Sequence, residues 1–392
     1  MFEICEKKDC TACYACVNIC AQNCIKMSSD ADGSLYPCID SEKCVSCNLC
    51  REVCPSLNMP EKHAPLKAYA AYSLNEETHI SSASGGAAYE LARHIVNGGG
   101  IVYSSMADSE LNVSVYRCDN LSELKKFSGS KYVHSHVNTA FSDIKDDLEN
   151  GLTVLFTGTP CQVAGLKGYL KGKEYPSLYT ADIICHGVPS RETFISYSKA
   201  LLMESFESAD SVSFRNGSDY ELSYYSGDKL LLSRPWKSDL YLTSFLEGSI
   251  FRENCYYCKY AEEKRVSDIT LGDFWGIDKT SVDEETQKRG LNVVLINTKR
   301  GAELFSAVSE KLFTAEREVS EAVNGNEQLR HPCEKTEYAR KFRELCGKYP
   351  NDKALKMYSA KRRILCDIRD AADKNDALKR TLGYIPGIKD KI

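Results

Sequence analysis

The chain is predicted to be an α/β domain on a mixed sheet, preceded by a small cysteine-dense module and followed by a helical C-terminal tail. Three observations predict it. Eight cysteines between Cys10 and Cys54 spell one spacing twice. Between residues 67 and 312, short apolar runs alternate with helix-like segments, the pattern of strands and helices taken in turn. Beyond residue 313 the periodicity is helical, and lysine and arginine outnumber the acids over residues 331–392.

The module comes first. Cys10, Cys13, Cys16 and Cys20 follow C-x2-C-x2-C-x3-C, and Cys44, Cys47, Cys50 and Cys54 repeat it with Pro55 directly after. This is the spacing of a bacterial-type two-cluster ferredoxin, in which a tight loop supplies three thiolates to one cubane and the fourth cysteine crosses to the other. It predicts Cys10, Cys13, Cys16 and Cys54 on one 4Fe–4S cluster, and Cys44, Cys47, Cys50 and Cys20 on the other. Disulfides suit secreted miniproteins, and zinc favours one or two C-x2-C pairs over triplets each trailed by a fourth cysteine. Ala21 stands where the ferredoxin pattern usually has proline, which weakens the turn but not the ligand set. The ferredoxin-like domain is placed at residues 1–57. Residues 58–66 (NMPEKHAPL), with two prolines and no periodicity, are a linker.

The full length of 392 residues leaves ample chain for a second core. The opening MFEICEKKDC has no apolar signal core, and no run of about 18 apolar residues occurs, so no membrane span and a cytoplasmic location are expected. In a reducing compartment, 19 cysteines point to metal ligation rather than disulfides. The net charge of −5 conceals the basic tail, placed at residues 313–392. It is helix-like around Tyr338 to Cys346 and Leu355 to Ala372, and reads as a solvated helical face or a dock for an acidic partner. No DNA-binding helical motif is visible, so nucleic acid is not an expected partner.

In the domain placed at residues 67–312, Gly86 to Val96 puts Ala88, Leu91, Ala92 and Ile95 on one helical face, and Gly98 to Gly100 stop that helix. Ile101 to Met106 resumes as a strand. Thr153 to Thr157, Ala181 to Cys185 and Val293 to Ile296 are further short apolar runs with helix-like sequence after them, so a buried, largely parallel sheet is expected. Residues 211–260 are irregular and read as a mixed-strand insertion.

Cys161 follows the TVLFT strand, Cys185 the ADIIC strand, and Cys255 and Cys258 form a C-x2-C pair in the insertion. Sites in open α/β sheets collect where the carboxyl ends of strands meet helix N-termini, whose backbone N–H groups favour anions. The four cysteines would complete a third 4Fe–4S site. By spacing alone they equally suit zinc, a redox pair or buried small hydrophobes.

The stretches SASGG (82–86), SGSKYVHS (128–135), LFTGTPCQVAGLKGYL (155–170), DIICHGVPS (182–190), CYYCKY (255–260) and SDITLGDFWG (267–276) resemble the coenzyme F420 hydrogenase/dehydrogenase beta-subunit family. The form resembled is the bacterial one with an N-terminal two-cluster ferredoxin, and the likeness runs from about residue 5 to about residue 310. It implies an iron-sulfur flavoprotein that binds FAD in a non-Rossmann α/β domain, with Cys161, Cys185, Cys255 and Cys258 as ligands of a third cluster. Ala83 departs from the pattern, which often has serine there.

No G-x-G-x-x-G follows a strand and no P-loop occurs. Taken alone, Ser84-Gly85-Gly86 and Lys131 read as an ordinary helix entry and a surface lysine. The resemblance turns them into phosphate binders, glycines letting backbone N–H groups approach and the lysine offsetting charge. The implied flavin site comprises Ser84, Gly85, Gly86, Ser130, Lys131, Tyr132, Thr157 and Gly158. His186 and Lys131 are the candidate catalytic residues, His186 either as a proton donor or as an orienting group beside a ligand. His134 and His136 share a face toward the flavin or merely edge a strand. Asp273 is a candidate hydrogen-bond partner for cluster-bearing backbone, and Trp275 a core filler. Cys5, Cys24, Cys38, Cys118, Cys333, Cys346 and Cys366 match no ligand spacing and read as packing residues or free thiols.

Clusters pass single electrons and hydride donors pass two, and flavin does both. The function expected is therefore an oxidoreductase coupling hydride chemistry at FAD to one-electron transfer through the clusters. Its partners would be a ferredoxin-like electron carrier or a partner redox enzyme, and a small-molecule or deazaflavin-like substrate. The alternative is an electron-transfer subunit that only relays to a catalytic partner.

Overall fold

A computed structural model of the protein describes residues 3–358 other than 206, 207 and 279–281, together with Ile364 and Ile368. In the N-terminal module, β1 (Ile25–Ser29) and β2 (Leu35–Ile39) form an antiparallel hairpin between the two cysteine loops. The loops share one backbone pattern: left-handed residues flank the middle cysteine, Ala12 and Tyr14 around Cys13, Ser46 and Asn48 around Cys47. A four-residue helix follows each, Ala15–Asn18 and Leu49–Glu52. Such turns bend the chain tightly between the cysteines of each loop.

The remaining strands are β3 (Lys67–Ser73), β4 (Ile101–Ala107), β5 (Val113–Cys118), β6 (Val154–Gly158), β7 (Leu178–Ile183), β8 (Ser211–Asn216), β9 (Asp219–Ser226), β10 (Lys229–Pro235), β11 (Ile269–Asp273), β12 (Asn292–Ile296) and β13 (Leu312–Arg317). Eight of them make one sheet in the order β13-β3-β12-β11-β7-β6-β4-β5. Its centre, β4, β6, β7 and β11, is parallel, and the flanking pairs are antiparallel. The sheet is thus mixed, as the fold class predicts, with the parallel pairing expected from the apolar runs confined to its four central strands. The expectation missed β3, β5, β11 and β13, whose apolar residues are too few or too interrupted by polar and small ones to stand out as buried runs. Fully buried β12 (NVVLI) and the centre of β6 explain why those two did stand out.

The helix Ala87–Asn97 buries Leu91, Ala92, Ile95 and Val96, while Ala88 is exposed at its start. Residues 211–235 form the expected insertion, a separate antiparallel sheet in the order β10-β9-β8. Two boundaries differ from expectation. Residues 58–66 are pinned to the domain, since His63 and Arg265 exchange both backbone hydrogen bonds at 2.8 Å. At the other end, β13 continues the main sheet past the boundary set at residue 312.

Over its described part the basic tail has the expected solvated face and, opposite it, a buried one. The helices Glu337–Cys346 and Asn351–Tyr358 bury Phe342, Cys346, Leu355 and Tyr358 in a core shared with the helix Arg191–Ser205. Two of its cations turn inward, Arg343 pairing with Asp32 of the module and with Glu253, and Lys335 with Glu253, while Arg340, Lys341, Lys348 and Lys353 are exposed. The rest of the expected helix to Ala372, and Cys366, lie outside the described residues. No helix among those described is long and apolar enough to cross a membrane.

Candidate functional site

The module presents two cysteine sets of different exposure. Cys10, Cys13, Cys16 and Cys54 line one small cavity together with Cys5. Cys5, and then backbone N–H groups of Ala12 for Cys10 and of Ser56 and Leu57 for Cys54, hold these two thiols down against burial, whereas burial pushes the Cys13 thiol up to about 12 against the N–H of Ala15. The Cys16 thiol is pushed up by burial and then by Cys13, Cys10 and Cys54. Around the second set, burial and the neighbouring Cys47 and Cys44 raise Cys50, and Cys47 is exposed.

Two cysteines that fit no spacing stand beside these sets. Cys5 reaches Cys10 and Cys54. The Cys24 sulfur lies 3.3 Å from that of Cys20, and Cys20 followed by burial pushes the Cys24 thiol up to about 12.

The module seats on the helix Pro160–Tyr169. A Cβ on Gly165 would lie 2.7 Å from the Cys13 Cβ, and one on Gly168 would lie 2.4 Å from the Val53 carbonyl oxygen. Only glycine permits that approach. The same helix begins with a capping box between Thr159 and Gln162, and its second residue is Cys161.

Cys161 and Cys185 both emerge at the carboxyl ends of parallel neighbours, β6 and β7. The turn Glu253–Tyr257 brings Cys255 and Cys258 to them: the Cys185 thiol is held well up by burial and then by Cys255, Cys161 and Cys258. Burial likewise pushes Cys161 up to about 11 and Cys255 to about 12. Thiolates in such a place need a cation to bind. Among the described residues no three His, Cys, Asp or Glu side chains converge as one metal ion would require. Four thiols from these places are a donor set that a cluster, with each thiolate on its own iron, or a zinc ion would use.

Beside Cys185 opens a cavity of about 260 Å³ along the same sheet edge. Of the expected flavin residues, Ser84, Gly86, Ser130, Lys131, Tyr132, Thr157 and Gly158 line it, as does His186. Gly85 does not line it. Its backbone turns away, and a Cβ there would meet the Gly290 carbonyl oxygen at 2.9 Å. Ser84, Gly85 and Gly86 all have positive φ, a concave run of backbone that suits an anion at the start of the helix Ala87–Asn97.

Lys131 donates to three carbonyl oxygens, those of Phe127 at 2.9 Å, Ser128 at 2.7 Å and Gly129 at 3.1 Å. No carboxylate pairs with it among the described residues, and burial pushes its ammonium down to about 7. A half-buried lysine without a carboxylate partner among the described residues, lining the same cavity as Ser84 and Gly86, fits a pyrophosphate. The Tyr132 ring stacks on Phe245 at 4.5 Å.

His134 also lines the cavity, with His136 behind it at 5.5 Å between ring centroids. His136 lies 6.0 Å from the ring of Tyr14 in the module, and burial holds both histidines neutral. Asp273 binds Arg215 at 3.2 Å rather than cluster-bearing backbone, and Arg215 in turn donates to the Tyr132 hydroxyl at 3.0 Å. Trp275 is 39% exposed and fills no core. Asp268 ties β7 to the next crossover by accepting from Thr180 N–H at 2.8 Å and Thr298 Oγ1 at 2.7 Å. Sequence reasoning passed over Gln162, which donates to the Ser135 carbonyl at 2.9 Å and lines the cavity; its place in T-x-x-Q before a helix was the available signal.

Residues 151–322 match the family model for the C terminus of the coenzyme F420 hydrogenase/dehydrogenase beta subunit, and residues 9–58 match a 4Fe–4S dicluster domain. Among solved structures, a chain of the F420-reducing NiFe hydrogenase complex from Methanosarcina barkeri is 19% identical, with 77% of this chain and 94% of that chain covered and a TM-score of 0.46. No curated protein matches the chain.

Proposed function

We propose, for a chain that belongs to the coenzyme F420 hydrogenase/dehydrogenase beta-subunit-like family, an iron-sulfur flavoprotein oxidoreductase that exchanges hydride equivalents at FAD and single electrons through three 4Fe–4S clusters. The observation that carries it is adjacency. One sheet edge holds the cavity with Lys131, Ser84 and Gly86, and next to it the set Cys161, Cys185, Cys255 and Cys258, while the module's Cys13 is seated at Gly165 on the helix that carries Cys161.

FAD, when bound, supplies the chemistry that joins two-electron to one-electron transfer. Lys131 and the backbone at Ser84 and Gly86 bind its phosphates, and Tyr132, Thr157 and Gly158 line its path. His186 is kept neutral by burial, against the pull of Asp273, so its imidazole can hold or release one proton near the cavity. It neighbours Cys185 in sequence, and a proton moved there would accompany a hydride leaving or entering. The four cysteines of the domain and those of the module bind the clusters. Cys47 is exposed, which makes the second set of the module the port for an external carrier such as a ferredoxin. A deazaflavin-like cofactor or another small reducible molecule is the substrate class.

Anaerobic reconstitution followed by iron counting and flavin extraction tests this. About twelve irons and one FAD per chain are expected. About eight irons with zinc in addition would remove the third cluster, and a colourless extract from protein that also refuses added FAD would overturn the flavin assignment.

A further inference from the structure

Two buried hydrogen-bond donors stand where the module meets the domain's cysteines, and the protein leaves both without acceptors. Arg252 is 1% exposed. Its Nη2 donates to the carbonyl oxygens of Cys10 at 3.4 Å and Leu35 at 3.1 Å, and its Nε to Asn254 Oδ1 at 3.3 Å. Its Nη1 has no partner, and no carboxylate pairs with the guanidinium among the described residues. Tyr260 is 4% exposed, its hydroxyl also without a partner. Its ring shares one apolar cluster with Cys13, and Cys161 and Cys258 pack against that cluster.

An arginine cannot escape burial by losing its proton, and an unpaired buried charge is strongly unfavourable. The guanidinium lies over the Tyr36 ring, 5.6 Å from its centroid, but a ring face does not neutralise it, so an anion is the partner its charge calls for. Arg252 touches the Cys10 backbone and opens the turn that carries Cys255, and its positive charge acts on Cys10, Cys161 and Cys255 alike. A cubane with four thiolates is a net anion, and it gains one further negative charge on taking up one electron. A fixed cation beside it favours the reduced form, as do hydrogen bonds to its sulfurs.

We propose that Arg252 is the charge-balancing residue shared by the cluster at Cys10, Cys13, Cys16 and Cys54 and the cluster at Cys161, Cys185, Cys255 and Cys258. Its free Nη1 and the Tyr260 hydroxyl donate to cluster sulfur and make both clusters easier to reduce than the outer one at Cys44 and Cys47. Both are positioning residues, acting on potential rather than on substrate. The domain half of this assignment rests on the third cluster proposed above; the module half rests on the dicluster domain alone.

The test is an EPR-monitored dithionite titration of full-length, anaerobically reconstituted protein, with iron counted first. Arg252→Met should lower the one-electron reduction equilibrium of the two inner clusters tenfold or more, 59 mV per tenfold, and leave the outer cluster in place. Arg252→Lys should recover most of the shift by keeping the charge, and Tyr260→Phe should give a smaller shift of the same sign. Unmoved midpoints in iron-replete Arg252→Met, or an equal shift in all clusters, would overturn the proposal. If Arg252→Met fails to hold iron, Tyr260→Phe decides by the same readout, since it removes a single oxygen; unmoved midpoints there overturn it too. An iron count near eight with the shift confined to the Cys10 cluster would sink the third cluster while upholding Arg252.

Discussion

In the N-terminal module each run of three cysteines lies within one loop, whereas the sheet domain draws its four from three places far apart in the chain. The module needs only local turns, left-handed at Ala12, Tyr14, Ser46 and Asn48, plus one crossing cysteine from each loop. The domain needs β6 beside β7 in register, a helix capped at Thr159 and an insertion folded back over the edge. Local ligand sets tolerate change elsewhere, while a dispersed set depends on every contact that builds the sheet. The difference teaches where each centre is vulnerable.

The largest effect that sharpens this contrast should come from Cys161→Ala or Cys258→Ala. Either should remove about a third of the iron, four of about twelve, with both module cluster signals intact by EPR. Loss of iron from the module as well would break the comparison, because it would show that the module's sets also depend on the domain.

Next in size is the seat between the two regions. Glycine to alanine inside a helix ordinarily gains about 1 kcal/mol, yet at Gly168 the new Cβ would press on the Val53 carbonyl oxygen at 2.4 Å. Gly168→Ala should instead cost about 1–3 kcal/mol, read as a lower thermal midpoint and faster proteolysis across residues 58–66. A stabilised variant would mean that the module does not rest on that helix.

The cavity should show its lysine through pH. Lys131, pushed down to about 7 by burial, is charged below that pH and neutral above it. Binding of FAD to the apoprotein should therefore weaken as pH rises through 7, about tenfold between pH 6 and pH 8 if the charged form binds. Lys131→Met should bind weakly and without that pH dependence by flavin fluorescence quenching. A wild-type affinity flat across this range would remove Lys131 from the phosphate site.

Smallest of all, Cys24→Ala should leave the iron count unchanged and perturb only the outer cluster's EPR line shape, given the 3.3 Å approach of its sulfur to Cys20. A lost cluster here, with Cys20→Ala harmless, would reverse the ligand register of the first loop.

Much of the site was legible in the residues because its chemistry is written in unusual ones. Cysteines at C-x2-C-x2-C-x3-C, and strands rich enough in buried aliphatics to show, such as Val293 to Ile296, carried their own signal. The edge strands did not. β13 (LFTAER) and β5 (VSVYRC) mix polar and apolar residues, so nothing local separated them from loops. Gly85 was misread for a related reason: a glycine with positive φ can clear space for a ligand or for another chain segment, and only the position of Gly290 distinguishes the two. Trp275 failed in the other direction, since its size suggested core and its neighbours left it exposed.

By itself, then, the sequence determined the chemistry available: thiolates in registered loops, a second dispersed set, a glycine run and a lysine, on a chain long enough for an α/β core. Tertiary structure alone decided which of these meet. It seated Cys13 on Gly165, folded Arg343 of the basic segment inward onto Asp32 and Glu253, and left Arg252 Nη1 and the Tyr260 hydroxyl buried without acceptors beside the cysteines. The physical reason is that ligand identity and turn geometry are properties of a few neighbouring residues. Burial, and therefore the cost or use of a charge, is set by residues hundreds of positions away.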